Sequence, residues 1–268
     1  MELFLSGKTA LVTGGSAGIG LACARALVAE GVDVAIVGRS AERLAGAAAV
    51  LHEVARSRGG VAPRVLTIAA DLSQSDGVDR AARETLAAFG RVDILVNNAG
   101  AAMGGTFTAL PDAAFLDAWN LKLLGYIRMT RALVPQMIER RDGRIVNIVG
   151  GAARTPPATF LPGSTSNAAL INFTRGLSKE LAGHNVRINA ISPGSTATER
   201  AERLVEQAAA LAGSSIDAAR EERLDRIPLH RMTHPDEIAA MTLLLVSDRV
   251  ASMTGAEVVI DGGAMPGV

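Results

Sequence analysis

"TALVTGGSAGIG", residues 9–20, decides the fold. A short apolar, β-branched run ends on clustered glycines, and a helical pattern over 18–30 begins inside them. Strand, glycine turn and helix in that order form a cradle for a pyrophosphate. Gly14 permits the tight turn, Gly18 lets the backbone approach the ligand, and Gly20 allows helix and strand to pack closely. The unpaired N–H groups at the helix start then face the negative charge. Glycine spacing alone is a weak signal; its position between a strand and a helix makes it strong.

Moving outward, the same alternation continues along the chain. "VDVAIVG" (32–38), "RVLTIAAD" (64–71), "VDILVNNAG" (92–100), "GRIVNIVGG" (143–151), "VRINAISPG" (186–194) and "AEVVIDGG" (256–263) read as further strands. Helical patterns lie at 41–57, 75–89, 112–140, 164–182 and 235–246. Near-continuous apolarity means strands covered on both faces. The pattern predicts an α/β, Rossmann-type doubly wound parallel sheet of about seven strands with helices on both faces. With no linker or repeat, residues 1–268 read as a single dinucleotide-binding domain. Residues 199–231 break the rhythm with charged helical pieces. They read either as a surface helix pair, with Leu204, Ala208 and Leu211 as its apolar stripe, or as a lid beyond the strand ends.

Composition narrows the function classes. Lys plus Arg equals Asp plus Glu at 27 each, so no field attracts nucleic acid or an anionic membrane. Cys23 is the only cysteine, which rules out an intramolecular disulfide and disfavours a thiolate metal cluster. The N-terminus lacks the basic stretch and long apolar core of a secretory signal, and no apolar run approaches the roughly 18 residues of a membrane span. A cytoplasmic protein with a small-molecule substrate or ligand is the expectation.

The end of the second strand selects the dinucleotide. A carboxylate there would bind a ribose 2′-hydroxyl, whereas an arginine accommodates a 2′-phosphate. The chain has Gly38, Arg39 and Ser40, and a guanidinium suits a dianionic phosphate. NADP is therefore the expected cofactor, the alternative being a solvated arginine at a helix start.

With "TGGSAGIG", "DL" at 71–72, "NNAG" at 97–100, Asn120 in "WNLKLLG", "PGSTAT" at 193–198 and "TGAEVVIDGG" at 254–263, the chain resembles the short-chain dehydrogenase/reductase family over roughly residues 5 to 265. The resemblance implies cofactor contacts from Gly14, Ser16, Gly18, Ile19, Gly20 and Arg39. It places Asp71 and Leu72 at the adenine, and Asn98, Ala99 and Gly100 at the inner ribose. Pro193, Gly194 and the residues to Thr198 would hold the nicotinamide carboxamide. It also implies a homo-oligomer, tetramer or dimer, pairing the helices at 112–140 and 164–182.

The resemblance also implies a departure. Family members carry a serine after the fifth strand and a Tyr-x-x-x-Lys in the next helix, completed by a helical asparagine. Here "GRIVNI" and "NAALINFTRGL" fix both flanks, so the three positions fall on Gly150, Gly163 and Asn167, and Asn120 alone survives as a candidate catalytic residue. The single tyrosine, Tyr126, lies in another helix and reads as packing. His52 and His184 read as surface residues, and His230 and His234 as loop residues that could fold over the site. Ser164, Thr165 and Ser166 read as helix caps, Arg154 as an oxyanion partner at most, and Lys122, two residues past Asn120, as pointing away from the site. Replacing tyrosine by glycine would open space for water. Three readings stay open: an atypical NADP-dependent oxidoreductase, a non-redox enzyme with Gly150 and Gly151 binding an anion through their N–H groups, and a non-catalytic NADP-binding sensor or partner.

Overall fold

The structure, a computed structural model, describes residues 2–265, the side chain of Leu211 excepted. Seven parallel strands form one sheet: β1 (Thr9–Thr13), β2 (Asp33–Gly38), β3 (Val65–Ala69), β4 (Ile94–Asn97), β5 (Gly143–Ile148), β6 (Val186–Pro193) and β7 (Glu257–Ile260). Their order is β3-β2-β1-β4-β5-β6-β7. The chain winds outward from β1 in one direction and from β4 in the other, so a crevice opens at the strand tips where the order reverses.

The side-chain period of two sorts the core. Ala10, Val12, Val34 and Ile36 pack under α1 (Gly18–Ala29), α2 (Ala41–Ser57) and α9 (Pro235–Val246). Leu11, Ala35 and Val37 face the opposite layer. That layer contains α3 (Ser75–Phe89), α5 (Gly125–Arg140) and α6 (Leu161–Leu181). Both faces are covered, as the apolar strands required. No helix among the described residues is long and apolar enough to cross a membrane.

Three local features differ from the sequence expectation. The segment expected as one helix over 112–140 is α4 (Asp112–Ala118), a π-turn over Trp119–Leu124, and then α5. A π-turn carries an extra residue per hydrogen-bonded ring and is common at functional sites. Gly125 lets it pass close to the β3–α3 connection, since a Cβ there would lie 3.0 Å from the Leu72 carbonyl oxygen. Second, α6 begins at Leu161 with a proline in its first turn, not at 164. Third, in the 199–231 segment, α7 (Glu199–Ala212) and α8 (Ile216–Asp225) pair as expected, but the buried stripe is Ala201, Val205 and Ala209. Leu204 is 44% exposed and Ala208 is also exposed; the Leu211 side chain lies outside the described residues.

The histidines of this segment face elsewhere. His230 Nε2 lies 3.1 Å from Glu221, and His234 caps α9, its side chain accepting from Asp236 N while Glu237 accepts from His234 N at 2.8 Å.

Candidate functional site

The glycine loop is held by its neighbours. Gly14 and Gly18 take φ of +65° and +54°, a region that favours glycine. A Cβ at Gly20 would lie 2.5 Å from Asn98 Nδ2, so helix α1 can approach the loop only without one. Asn98 Nδ2 donates to the carbonyls of Thr13 and Gly14 at 3.1 and 3.2 Å. Thr13 Oγ1 in return accepts from the Asn98 and Ala99 amides at 2.8 and 3.1 Å. The Asn98 amide is thus committed to shaping the loop. Ser16 and Ile19 are half-buried beside these glycines.

At the β2 tip, the Gly38 position lies against Ser16, whose Oγ would be 3.4 Å from a Cβ there. Arg39 is exposed and has no ion-pair partner among the described residues. Arg43, one turn on, pairs with Glu199 of α7 at 2.6 Å. Asp71 is exposed, its Oδ1 accepting from Ser73 N at 3.0 Å, while the Leu72 side chain is buried in the core. Only the backbone of Leu72 is therefore placed to meet a ligand.

The loop after β6 closes the other side. Gly194 N donates to Ile260 O at 2.9 Å, and a Cβ at Gly194 would strike Asp261. Thr198 caps α7 by accepting from Ala201 N at 3.2 Å, and its Cγ2 lies 3.2 Å from where a Cβ on Gly18 would stand. Pro193 to Thr198 and the glycine loop therefore meet at one mouth.

Gly150 follows β5, and Gly163 and Asn167 lie in the first turns of α6. Gly150 has φ +127°, and a Cβ there would fall 3.0 Å from Asn167 Nδ2. Asn167 is 3% exposed and its Oδ1 has no hydrogen-bond partner among the described residues, a costly state for a buried acceptor. Gly163 does not open free space. A Cβ on it would overlap Phe160 Cε1 and Cζ and approach Cδ1 at 3.0 Å, so the Phe160 ring lies over the position expected to be vacated. Ser164, Thr165 and Ser166 do not cap the helix; their hydroxyls donate back to the Leu161 and Gly163 carbonyls. Thr165 also accepts from Trp119 Nε1 at 3.0 Å, fastening the π-turn to α6. Arg154 is engaged by Glu257 through two nitrogens at 2.7 and 3.1 Å and serves the β7 side of the fold. Tyr126 is 1% exposed with its hydroxyl donating to Ile148 O at 3.0 Å; burial pushes its pKa up, and it packs, as expected.

Asn120 is half-buried on the π-turn. Two residues on, Lys122 contradicts the expectation of an outward side chain. The wider turn swings it inward, where Nζ donates to Val149 O and the stem lies 3.1 Å from the Cβ position of Gly100. Burial of the ammonium, with Arg200 adding repulsion, lowers its pKa from 10.5 to about 7. Sequence reasoning weighed this residue and set it outside the site, although its place between Leu121, Leu123 and Leu124 was a signal of burial.

Comparison with known proteins agrees with this geometry. The family model described as short chain dehydrogenase matches residues 8–209. The chain is 34% identical to the 3-oxoacyl-[acyl-carrier-protein] reductase FabG of Thermotoga maritima, over 97% of this chain and 98% of that one. L-sorbose reductase from Gluconobacter frateurii, solved with NADPH and L-sorbose, superposes with a TM-score of 0.93 at 31% identity, covering 100% of both chains. A variant of actinorhodin polyketide ketoreductase with NADPH gives 0.89 at 32% identity, covering 96% of this chain and 97% of that one. By sequence, fold and strand-tip geometry together, this chain belongs to the short-chain dehydrogenase family.

Proposed function

We propose that the protein is an NADP-dependent oxidoreductase acting on a carbonyl or alcohol substrate without the tyrosine and lysine usual in its family. Gly14, Ser16, Gly18, Ile19 and Gly20 would hold the pyrophosphate and Arg39 the 2′-phosphate, with Asp71 and the Leu72 backbone at the adenine. Asn98, Ala99 and Gly100 would border the ribose, and Pro193, Gly194 and Thr198 the nicotinamide. The donor set fits the cofactor: glycines where a Cβ would collide, free amides at the α1 start, and an unpaired arginine. NADPH-bound relatives such as L-sorbose reductase support the choice of dinucleotide.

The observation that carries the proposal is the unpartnered Asn167 Oδ1 beside Gly150, at the far end of that cradle. An unpaired acceptor beside Gly150 would suit a ribose hydroxyl, which the family's lysine would otherwise hold. Losing a charged hydrogen bond there removes about 1.5–3 kcal/mol of binding, and losing a positioned acid slows proton transfer about 10²–10⁴-fold. Bound NADPH supplies two electrons and a hydrogen to the carbonyl carbon, which is cofactor chemistry; the protein has to orient the substrate and manage one proton. Asn120 on the π-turn is the proposed relay member. The α7–α8 pair acts as lid, and pairing of the α4–α5 and α6 faces builds the homo-oligomer, which sedimentation would report.

The test is calorimetry with NADPH and NADH, followed by NADPH oxidation against a panel of ketones and aldehydes. Heat with NADPH and turnover of a panel member supports the reductase. The ring of Phe160 over Gly163 favours a second reading, a binding protein without turnover, for which heat appears and no panel compound is reduced.

A further inference from the structure

We propose that Lys122 is the proton donor of this site, its amine taking over the work of the tyrosine from the opposite wall of the pocket. The inference rests on the reductase reading above and names a group that the reading leaves open.

Lys122 Nζ donates to Val149 O, just beyond the C-terminal end of β5, and its stem lies against Gly100, beyond the end of β4. These are adjacent central strands, and the crevice beyond their carboxyl ends is where ligands sit in such sheets. Gly150 follows the carbonyl that the ammonium touches, and Asn167 lies against Gly150 from the α6 side. Lys122 and Asn167 therefore meet successive carbonyls of one segment, Val149 O and, at 3.5 Å, Gly150 O.

The chemistry then follows. An ammonium has three N–H bonds, and one is engaged by Val149 O. No carboxylate pairs with Lys122 among the described residues. The charged group facing it is Arg200 of α7, which itself donates to Gly100 O at 3.3 Å. Around it, α5 offers Tyr126, bound to Ile148 O, and the first turns of α6 offer only uncharged residues. Arg144 of β5 lies at the other end of that strand, paired with Asp142 and Asp248, and Asp112 and Asp117 of α4 are exposed. A cation with no counter-ion beside another cation gives up its proton readily, and an acid near neutrality is the useful kind. In the step, the carbonyl carbon would take hydrogen and two electrons from the reduced dinucleotide, which is oxidised to NADP, and the C=O π pair moves to oxygen. The Lys122 N–H bond breaks, its proton goes to that oxygen, and the neutral amine regains a proton from water.

Two measurements test it. In protein labelled at the lysine ε-carbons, Lys8, Lys122 and Lys179 give three signals. Lys122 should titrate with a midpoint near 7 and move when NADPH is added, with Lys8 and Lys179 as internal references. A Lys122 signal that titrates in the ordinary lysine range and ignores NADPH overturns the placement, whether or not turnover is seen. In the full-length enzyme, Lys122→Met should lower kcat for carbonyl reduction about 10²–10⁴-fold and abolish the fall in rate above neutral pH. NADPH affinity should stay within about threefold. Unchanged kcat and pH profile in Lys122→Met overturn the role. Absence of turnover in the unaltered protein overturns the reductase reading, and the role with it, while leaving the placement to the titration.

Discussion

Replacing Gly163 by alanine separates an empty position from a filled one. Gly176 of the same helix, exposed and with nothing within 4 Å of its Cβ position, is the control. Glycine to alanine inside a helix gains about 0.5–1 kcal/mol, so Gly176→Ala should stabilise by that amount, raising Tm by about 1–4 °C. The same gain is available at 163, but there the methyl overlaps Cε1 and Cζ of Phe160. Forcing the ring aside costs about 1–3 kcal/mol, so the net effect is a loss of up to about 2 kcal/mol. Phe160→Ala should remove the conflict, making the Gly163→Ala change favourable in that background. The coupling from the double-mutant cycle should therefore be about 1–3 kcal/mol. Denaturant unfolding of the four proteins and of Gly176→Ala supplies every number. A Gly163→Ala protein as stabilised as Gly176→Ala would refute the seating of Phe160. The same ring bears on restoration: Gly163→Tyr with Asn167→Lys should regain little activity unless Phe160→Ala is added.

Further outcomes follow from other features. The lowered pKa of Lys122 means that between about pH 7 and 10.5 the unfolded chain holds a proton that the folded chain lacks. Its penalty is therefore full below pH 7 and relieved as pH rises; Lys122→Met should stabilise by up to about 5 kcal/mol at pH 6 and by little at pH 10.5, measured by urea unfolding. Arg39→Ala should lower the NADPH-over-NADH affinity ratio at least about tenfold, from loss of a charge-assisted bond of about 1.5–3 kcal/mol; an unchanged ratio in calorimetry would remove the 2′-phosphate assignment. Hydrogen exchange in 199–225 should slow on adding NADPH, because Thr198 and Glu199 tie α7 to Gly18 and Arg43; unchanged exchange would remove the lid.

The sheet was legible because each strand is an apolar run between glycine or helix signals, and burial on both faces calls for parallel strands between two helical layers. The same holds for α1, α2, α3 and α9, whose bounds agree within one residue at each end. The site was harder. An asparagine and a lysine two apart face different ways on a regular helix, and nothing in "WNLKLLG" announces the wider turn that brings Lys122 inward. Glycine at 163 looks vacant in sequence, since a ring three residues earlier folds over it only once the backbone at Phe160 departs from the helix. Arg154 and His234 resemble free polar groups until Glu257 and the start of α9 claim them.

The staple of Thr13, Gly14 and Asn98 closes upon itself and draws on nothing at 150, 163 or 167. The loop that would grip a nucleotide is therefore set by hydrogen bonds between the tips of β1 and β4, whatever stands at 150 or 163. A change confined to Gly150 or Gly163 would then leave that loop's own hydrogen bonds in place, so its effect would be felt in the chemistry before it was felt in the grip.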